Sequence, residues 1–220
     1  MFIGHYAVGF AAKKWAPKTS LATLVAAAVW LDLIWPVFVL LGWEHFNISP
    51  GLKVSPLEFV DYPLSHSLVM AAAWGVAFGL IFLILGNELK VAVILAGLVV
   101  SHWVLDLIVH RPDLPLLPAQ ANDWNAHKYG FGLWNHPWVS IPLEFALFGA
   151  GIWLYLKSTK SLDRTGSVGL WCFLLVLAGI FIWSFNSPPP GNVNLVAFMS
   201  QLQVLMVIWA YWIDDHRKAV

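Results

Sequence analysis

The chain has 220 residues, 60% of them hydrophobic and 11% charged, with a mean hydropathy of +0.73. Soluble domains carry about a quarter charged residues, so an ordinary aqueous surface is excluded and lipid is the expected solvent. Twelve basic and twelve acidic residues give zero formal net charge. That balance leaves no footprint for nucleic acid and no basic character for holding a lipid surface from outside. Cys172 is the single cysteine, which rules out an intramolecular disulfide and a thiolate zinc site.

In chain order, residues 2–12 are apolar and small around His5, then meet Lys13 and Lys14, with Pro17 following. Two readings fit this segment: a half-length helix folded back into the membrane, or an amphipathic helix lying in the interface. Apolar stretches follow at 19–41 (interrupted by Asp32 and Pro36), 64–85, 89–109, 138–156, 167–185 and 193–213. Each is about the 20 residues a helix needs to cross the hydrocarbon core. In lipid every backbone polar group must be satisfied within the segment, so these stretches are read as helices. The expectation is an all-α polytopic membrane helix bundle. It has about six transmembrane helices plus a short N-terminal re-entrant or interfacial helix, in one domain over 1–220.

Breaker chemistry marks the joints. Gly86-Asn87 closes the second stretch, and Ser187-Pro188-Pro189-Pro190-Gly191-Asn192 separates the last two. The longest connection, 110–136, holds Pro112, Pro115 and Pro118, and a loop of that length is often functional. The first twelve residues have no basic n-region and no cleavage site, so no cleaved signal peptide is expected. With the N-terminus cytoplasmic, Lys13, Lys14, Lys18, Lys90, Lys157, Lys160, Arg164, Arg217 and Lys218 share one side. Lys53, Arg111 and Lys128 lie on the other. This bias predicts cytoplasmic N- and C-termini and long outer loops at 42–63 and 110–136.

Ionisable residues inside membrane helices are expensive and usually face a bundle interior or a water-filled cavity. Asp32, His66, His102, Asp106 and Glu144 all fall in the outer half under that topology. Separate helices have therefore placed their costly residues at one depth. His102, Asp106 and His110 are spaced i, i+4, i+8 and share one helical face. An H-x-x-x-D pair can offer an imidazole nitrogen and a carboxylate oxygen to one ion, although it also serves as a plain intrahelical hydrogen bond. His5, near mid-membrane if the first segment folds back, would approach the group from below. A mixed N/O set suits a divalent metal such as Zn²⁺, Mn²⁺ or Fe²⁺.

Other polar residues read more blandly. Ser65, in Asp61-Tyr62-Pro63-Leu64-Ser65-His66-Ser67, can cap the second helix. Arg111 and Asp113 can pair with each other, and Asp123 and His127 read as solvent-exposed. Most of the 14 tryptophans lie near helix ends, as an aromatic belt requires.

At these residues the sequence resembles the DUF457-like family of bacterial inner-membrane metal-dependent hydrolases, also described as LexA-binding and inner-membrane-associated. Those proteins open with an embedded His and then carry P-D-x-D, H-R-G-x-T-H-S and H-x-x-x-D stretches. His5 looks like the first, and Leu31-Asp32-Leu33-Ile34 keeps one acid of the second. Ser65-His66-Ser67 keeps the end of the third, and His102 to Asp106 matches the fourth. Ile34, Asp61 and Tyr62 depart from the pattern, which covers about the first 110 residues. The order is also similar to PAP2-type lipid phosphatases, but their phosphate-binding arginines are missing before His102.

The resemblance implies a metal-dependent hydrolase in the bacterial cytoplasmic (inner) membrane, with a divalent metal, Zn or Mn, as cofactor. His5, Asp32, His66, His102 and Asp106 are the expected ligands. Asp61 or Glu144 is the expected general base, and Arg111 would steady developing negative charge. Membrane lipids surround the chain, and a lipid-linked or amphipathic ester or phosphoester is the expected substrate. Two other classes use the same residues differently: a metal-ion or proton transporter, and a structural or regulatory membrane protein whose His–Asp pairs fix packing.

Overall fold

The computed structural model describes the whole chain except residues 121, 122, 124, 125, 189 and 190. The middle of the proline run at 187–192 and part of the 110–136 loop therefore lie outside the described residues. Helices dominate: α1 (Ile3–Ala12), α2 (Leu21–Ala28), α3 (Trp30–Leu40), α4 (Leu68–Ile84), α5 (Leu89–Val109), α6 (Pro137–Ser158), α7 (Arg164–Asn186), α8 (Val193–Gln201) and α9 (Gln203–Asp215). Two antiparallel ribbons join them, β1 (His45–Ile48) with β2 (Leu57–Asp61), and β3 (Thr159–Ser161) with β4 (Arg217–Ala219).

Among the described residues, four apolar helical segments are long enough to cross a membrane: α5, α6, α7 and α8–α9 together. A fifth arises if α2 and α3, bent by 57° at Val29, count as one span. The sequence reading had six. The stretch at 64–85 is the one that falls short, because its helix begins only at Leu68 and has 17 residues. Residues 64–67 instead form a turn and bend, with His66 N–H bonded to the Tyr62 carbonyl, beside the polar centre. Ser67, not Ser65, caps α4 by accepting the Met70 N–H.

The two readings of the N-terminal segment are separated by burial. An interfacial helix would keep one face in water, yet Ile3, Gly4, His5, Tyr6, Ala7, Gly9 and Phe10 are all buried. At 10 residues α1 is about 15 Å long, half a membrane thickness. It is wedged among α2, α5 and α6. Small residues permit this. A Cβ at Gly151 would overlap the Ala7 backbone, and one at Gly9 would lie 3.0 Å from Val25 Cα. The α4–α5 pair uses the same device, with Gly75 and Gly79 set against the carbonyls of Ala96 and Ala92.

The two ends of the bundle are tied differently. At one end Lys13 Nζ bonds the Thr19 carbonyl and Asp214, both at 2.8 Å. Arg217 there reaches Thr159, Ser161 and the Gly166 carbonyl. At the other end Arg111 donates to the Lys53 carbonyl and Lys128 to the Val60 carbonyl. The β1–β2 ribbon, which the helical reading did not foresee, closes the second end through Phe46 and Phe59. Both rings pack on Trp35, at 5.1 and 5.6 Å between centroids.

Gly151→Ala should destabilise the protein by about 1–3 kcal/mol, because the added methyl must push α1 away from α6. Gly149→Ala, which meets nothing within 4 Å, should leave stability unchanged. Thermal unfolding of the two variants in the same detergent checks this.

Candidate metal centre

Three helices and one loop deliver side chains to a single buried point. α5 supplies His102 and Asp106 one turn apart, with His110 at its C-terminal cap. α1 supplies His5, the first turn of α3 supplies Asp32, and the turn at 64–67 supplies His66. The Asp106 carboxylate is the hub. His5 Nε2 lies 3.1 Å from it, His102 Nε2 3.3 Å, His110 Nε2 3.7 Å and His66 Nε2 3.8 Å. Asp32 stands across from it, 3.6 Å from His102 Nε2 and 3.8 Å from His66 Nε2. The Met1 amino group also contacts Asp106. The rings of His5 and His102 stack at 3.6 Å, within 5° of parallel.

The outer partners of the imidazoles fix which nitrogen faces inward. His102 Nδ1 lies 2.9 Å from the carbonyl of Ala28, at the end of α2 where helix carbonyls lack helical partners. A carbonyl only accepts, so Nδ1 carries the hydrogen. His66 Nδ1 donates to Ser65 Oγ at 2.7 Å, and that hydroxyl donates to Glu44 Oε2 at 2.6 Å. His110 Nδ1 donates to Asp113 Oδ1 at 3.0 Å, which also accepts from Tyr62 OH at 2.7 Å. Each neutral ring is then left with a lone pair on Nε2, turned toward carboxylates. Such an arrangement is repulsive unless a cation or extra protons lie between. His102 Nε2 is buried and has no hydrogen-bond partner among the described residues.

The donor set fits a metal ion. One atom each from His5, Asp32 and His102 lie within 4.8 Å of one another, as do atoms from His66, His102 and Asp106. Nitrogen and oxygen ligands about 2.0–2.2 Å from a tetrahedral ion are separated by roughly 3.3–3.6 Å, close to the spacings here. Imidazoles held by carboxylate, hydroxyl and carbonyl acceptors through the outer nitrogen are the usual support of a metal site. The five residues expected as ligands are therefore brought together. The side chains of His5, His66, His102 and Asp106 are at most 4% exposed, whereas that of Asp32 is 24% exposed and faces the adjoining cavity.

The residues expected to be catalytic are placed differently. Asp61 does not line the cavity; it sits at the end of β2 and takes His45 Nδ1 at 2.8 Å, closing the ribbon. Arg111 is also outside the lining, its guanidinium engaged with the carbonyls of Lys53 and Ser55 and with Asn135 Oδ1. Both are loop ties. Glu144 does line the cavity, but one of its oxygens accepts the N–H groups of Phe2 and Gly4 at 2.9 and 3.2 Å. It thereby satisfies donors at the start of α1 that have no helical partner.

Two supporting groups escaped the sequence reading. Glu44 accepts from the backbone N–H groups of Leu64 and Ser65 and from the Ser65 hydroxyl, which holds His66 in position. Burial pushes its carboxyl up to about 7, against the opposing effect of those donors. Nothing in the spacing around Glu44 announces this role, since its partners are 20 and 21 residues away. Asp113 was paired with Arg111 in the sequence reading; it is instead the acceptor for His110 and Tyr62. The i, i+3 spacing from His110 was the available signal.

Glu44→Gln should weaken divalent-metal binding about 10–100-fold without removing a ligand, because it loosens the Ser65–His66 support. Zinc or manganese titration by calorimetry, wild type beside variant, measures it. No family model, curated protein or solved structure matches the chain.

Proposed function

We propose that the chain is a membrane-embedded, metal-dependent hydrolase acting on an amphipathic or lipid-linked ester or phosphoester. The observation that carries this reading is the convergence of inward-facing imidazole Nε2 atoms and two carboxylates at the head of an apolar cavity. That cavity, about 540 Å³, is lined at one end by Asp32, His66, Asp106 and His110, and elsewhere mostly by apolar side chains. A divalent ion bound by His5, Asp32, His66, His102 and Asp106 would supply Lewis acidity and bring the pKa of its water near 7.

The rest of the chemistry falls to the chain. His110 lines the cavity but is not in either ligand group, and Asp113 and Tyr62 orient it. It accepts a proton from the attacking water. The water oxygen bonds to the acyl or phosphoryl centre, the bond to the alkoxy oxygen breaks, and His110 returns the proton to that leaving oxygen. Trp134, 4.1 Å from the His110 ring, and Phe59, 5.1 Å away, limit bulk water there.

In the same reading the chain crosses the bacterial inner membrane six times, with α2–α3 as one bent span and α4 as a short one. Both termini are then cytoplasmic, and the site lies in the outer half. A carrier would need ionisable groups leading to the other face. Between the cluster and Lys13, however, α1 packs through Phe10 against Leu21, Val25, Phe148 and Phe173. This apolar layer favours a closed catalytic chamber over a conduit.

Wild-type protein purified in detergent should contain stoichiometric zinc or manganese and hydrolyse members of an ester and phosphoester panel. His102→Ala and Asp106→Asn should lose the metal, and hydrolysis should fall to background. Metal binding without any hydrolysis would overturn the enzymatic reading in favour of transport. Absence of metal from wild type would overturn the site itself.

A further inference from the structure

Away from the histidines, the cavity runs between α7 and the α8–α9 pair. Its walls there are Phe181, Val196, Met199, Leu202, Leu205 and Met206. Gln203, which accepts from Tyr6 OH, adds polarity on this side. Several wall residues belong to two surfaces at once: Ile180, Trp183, Met199 and Leu202 line the cavity and are also exposed on the outside of the bundle. In a chain of this hydropathy that outside is hydrocarbon, which gives the cavity a side facing the bilayer, while Val54, Ser55, Pro56 and Leu57 line its other end.

We infer that this arm of the cavity receives the alkyl chain of a single-chain amphiphile, which slides in from the bilayer between α7 and α8. Its polar linkage is thereby delivered to Asp32 and His110. The inference rests on the hydrolase reading only for what is cleaved. Size sets the limit of one chain. At about the ~30 Å³ that a water molecule occupies, the cavity holds roughly 18 methylene-sized units, including its polar end. That is enough for one long chain and too little for a two-chain lipid. Charge agrees, because among the described residues no Lys or Arg lines the cavity. Recognition of the tail therefore depends on apolar burial alone, each methylene contributing about fourfold in affinity.

The test uses the full chain in nanodiscs and a photoreactive hexadecyl phosphocholine with a diazirine at its chain end. Labelling should map to Val196 and Met206, inside the cavity. Leu195 and Phe198, exposed neighbours that do not line it, should stay at background. Unlabelled hexadecyl phosphocholine should compete, and dipalmitoyl phosphatidylcholine should not. Val196→Phe, which fills the arm, should cut hexadecyl labelling by about the sixteenfold that two methylenes are worth. An octyl probe should label that variant as well as wild type. Met206→Ala, which widens the arm, should move the best chain length upward. Labelling that is uniform over α8, or competed equally by the two-chain lipid, overturns the inference. His102→Ala should keep the labelling, so loss of metal and loss of the chain site are read separately.

Discussion

Two carboxylates that share a buried site must be answered by positive charge, and that requirement organises this molecule. Asp32 and Asp106 approach the same imidazole nitrogen of His102, at 3.6 and 3.3 Å, in a bundle whose surroundings are apolar. Left alone, either acid would cost several kcal/mol to keep ionised in such a setting. The imidazoles around them cannot all answer as ordinary hydrogen-bond donors. His66, His102 and His110 already commit Nδ1–H to Ser65, Ala28 and Asp113. A core whose purpose was packing would turn those rings the other way and hydrogen-bond the acids directly.

The architecture follows from bringing that group together. A full-length first helix would carry His5 past the site; α1 ends after 10 residues and so terminates its polar residue at the depth of Asp106. The break at Val29 gives α2 and α3 different directions, which lets Ala28 present its carbonyl to His102 while Asp32 turns inward. The turn at 64–67 shortens α4 but frees Ser65 and His66 to point at Glu44 and the acids. Each departure from a regular spanning helix coincides with a group the site uses. Irregular backbone at membrane depth is tolerated only where protein or a cavity surrounds it.

Much of this was legible beforehand, and for a physical reason. Ionisable residues are so costly in lipid that each one in an apolar stretch is a signal. His5, Asp32, His66, His102 and Asp106 stand out because nothing else around them is polar. Composition and length likewise identify the helices, although they overestimate the length of α4, since a hydrophobic run does not reveal that its first four residues form a turn. The failures lie in the loops. Asp61 and Arg111 looked catalytic by proximity in sequence, yet in a wet loop a charged residue has many partners, and these two found His45 and the 53–55 turn. Glu44 was silent for the same reason: its role depends on a fold-back across about twenty residues that no periodicity encodes.

Charge bookkeeping decides between the ways such a cluster can be neutralised. The Met1 amino group already answers part of the Asp106 charge, so balancing Asp32 with protons would make one of the crowded imidazoles a cation beside that ammonium, and His5 stacks on His102 at 3.6 Å, where like charges repel strongly. One divalent ion balances both carboxylates while leaving every ring neutral. It would also give the Nε2 lone pairs of His66 and His102 a partner, leave that of His110 free, and turn the repulsive geometry into a coordinating one. The outer hydrogen bonds are then accounted for as well, since they hold the lone pairs in place before the ion arrives. The same features that make the centre expensive for a structural core make it suited to a metal. Its position at the head of an apolar cavity that opens toward lipid determines which molecules can reach it.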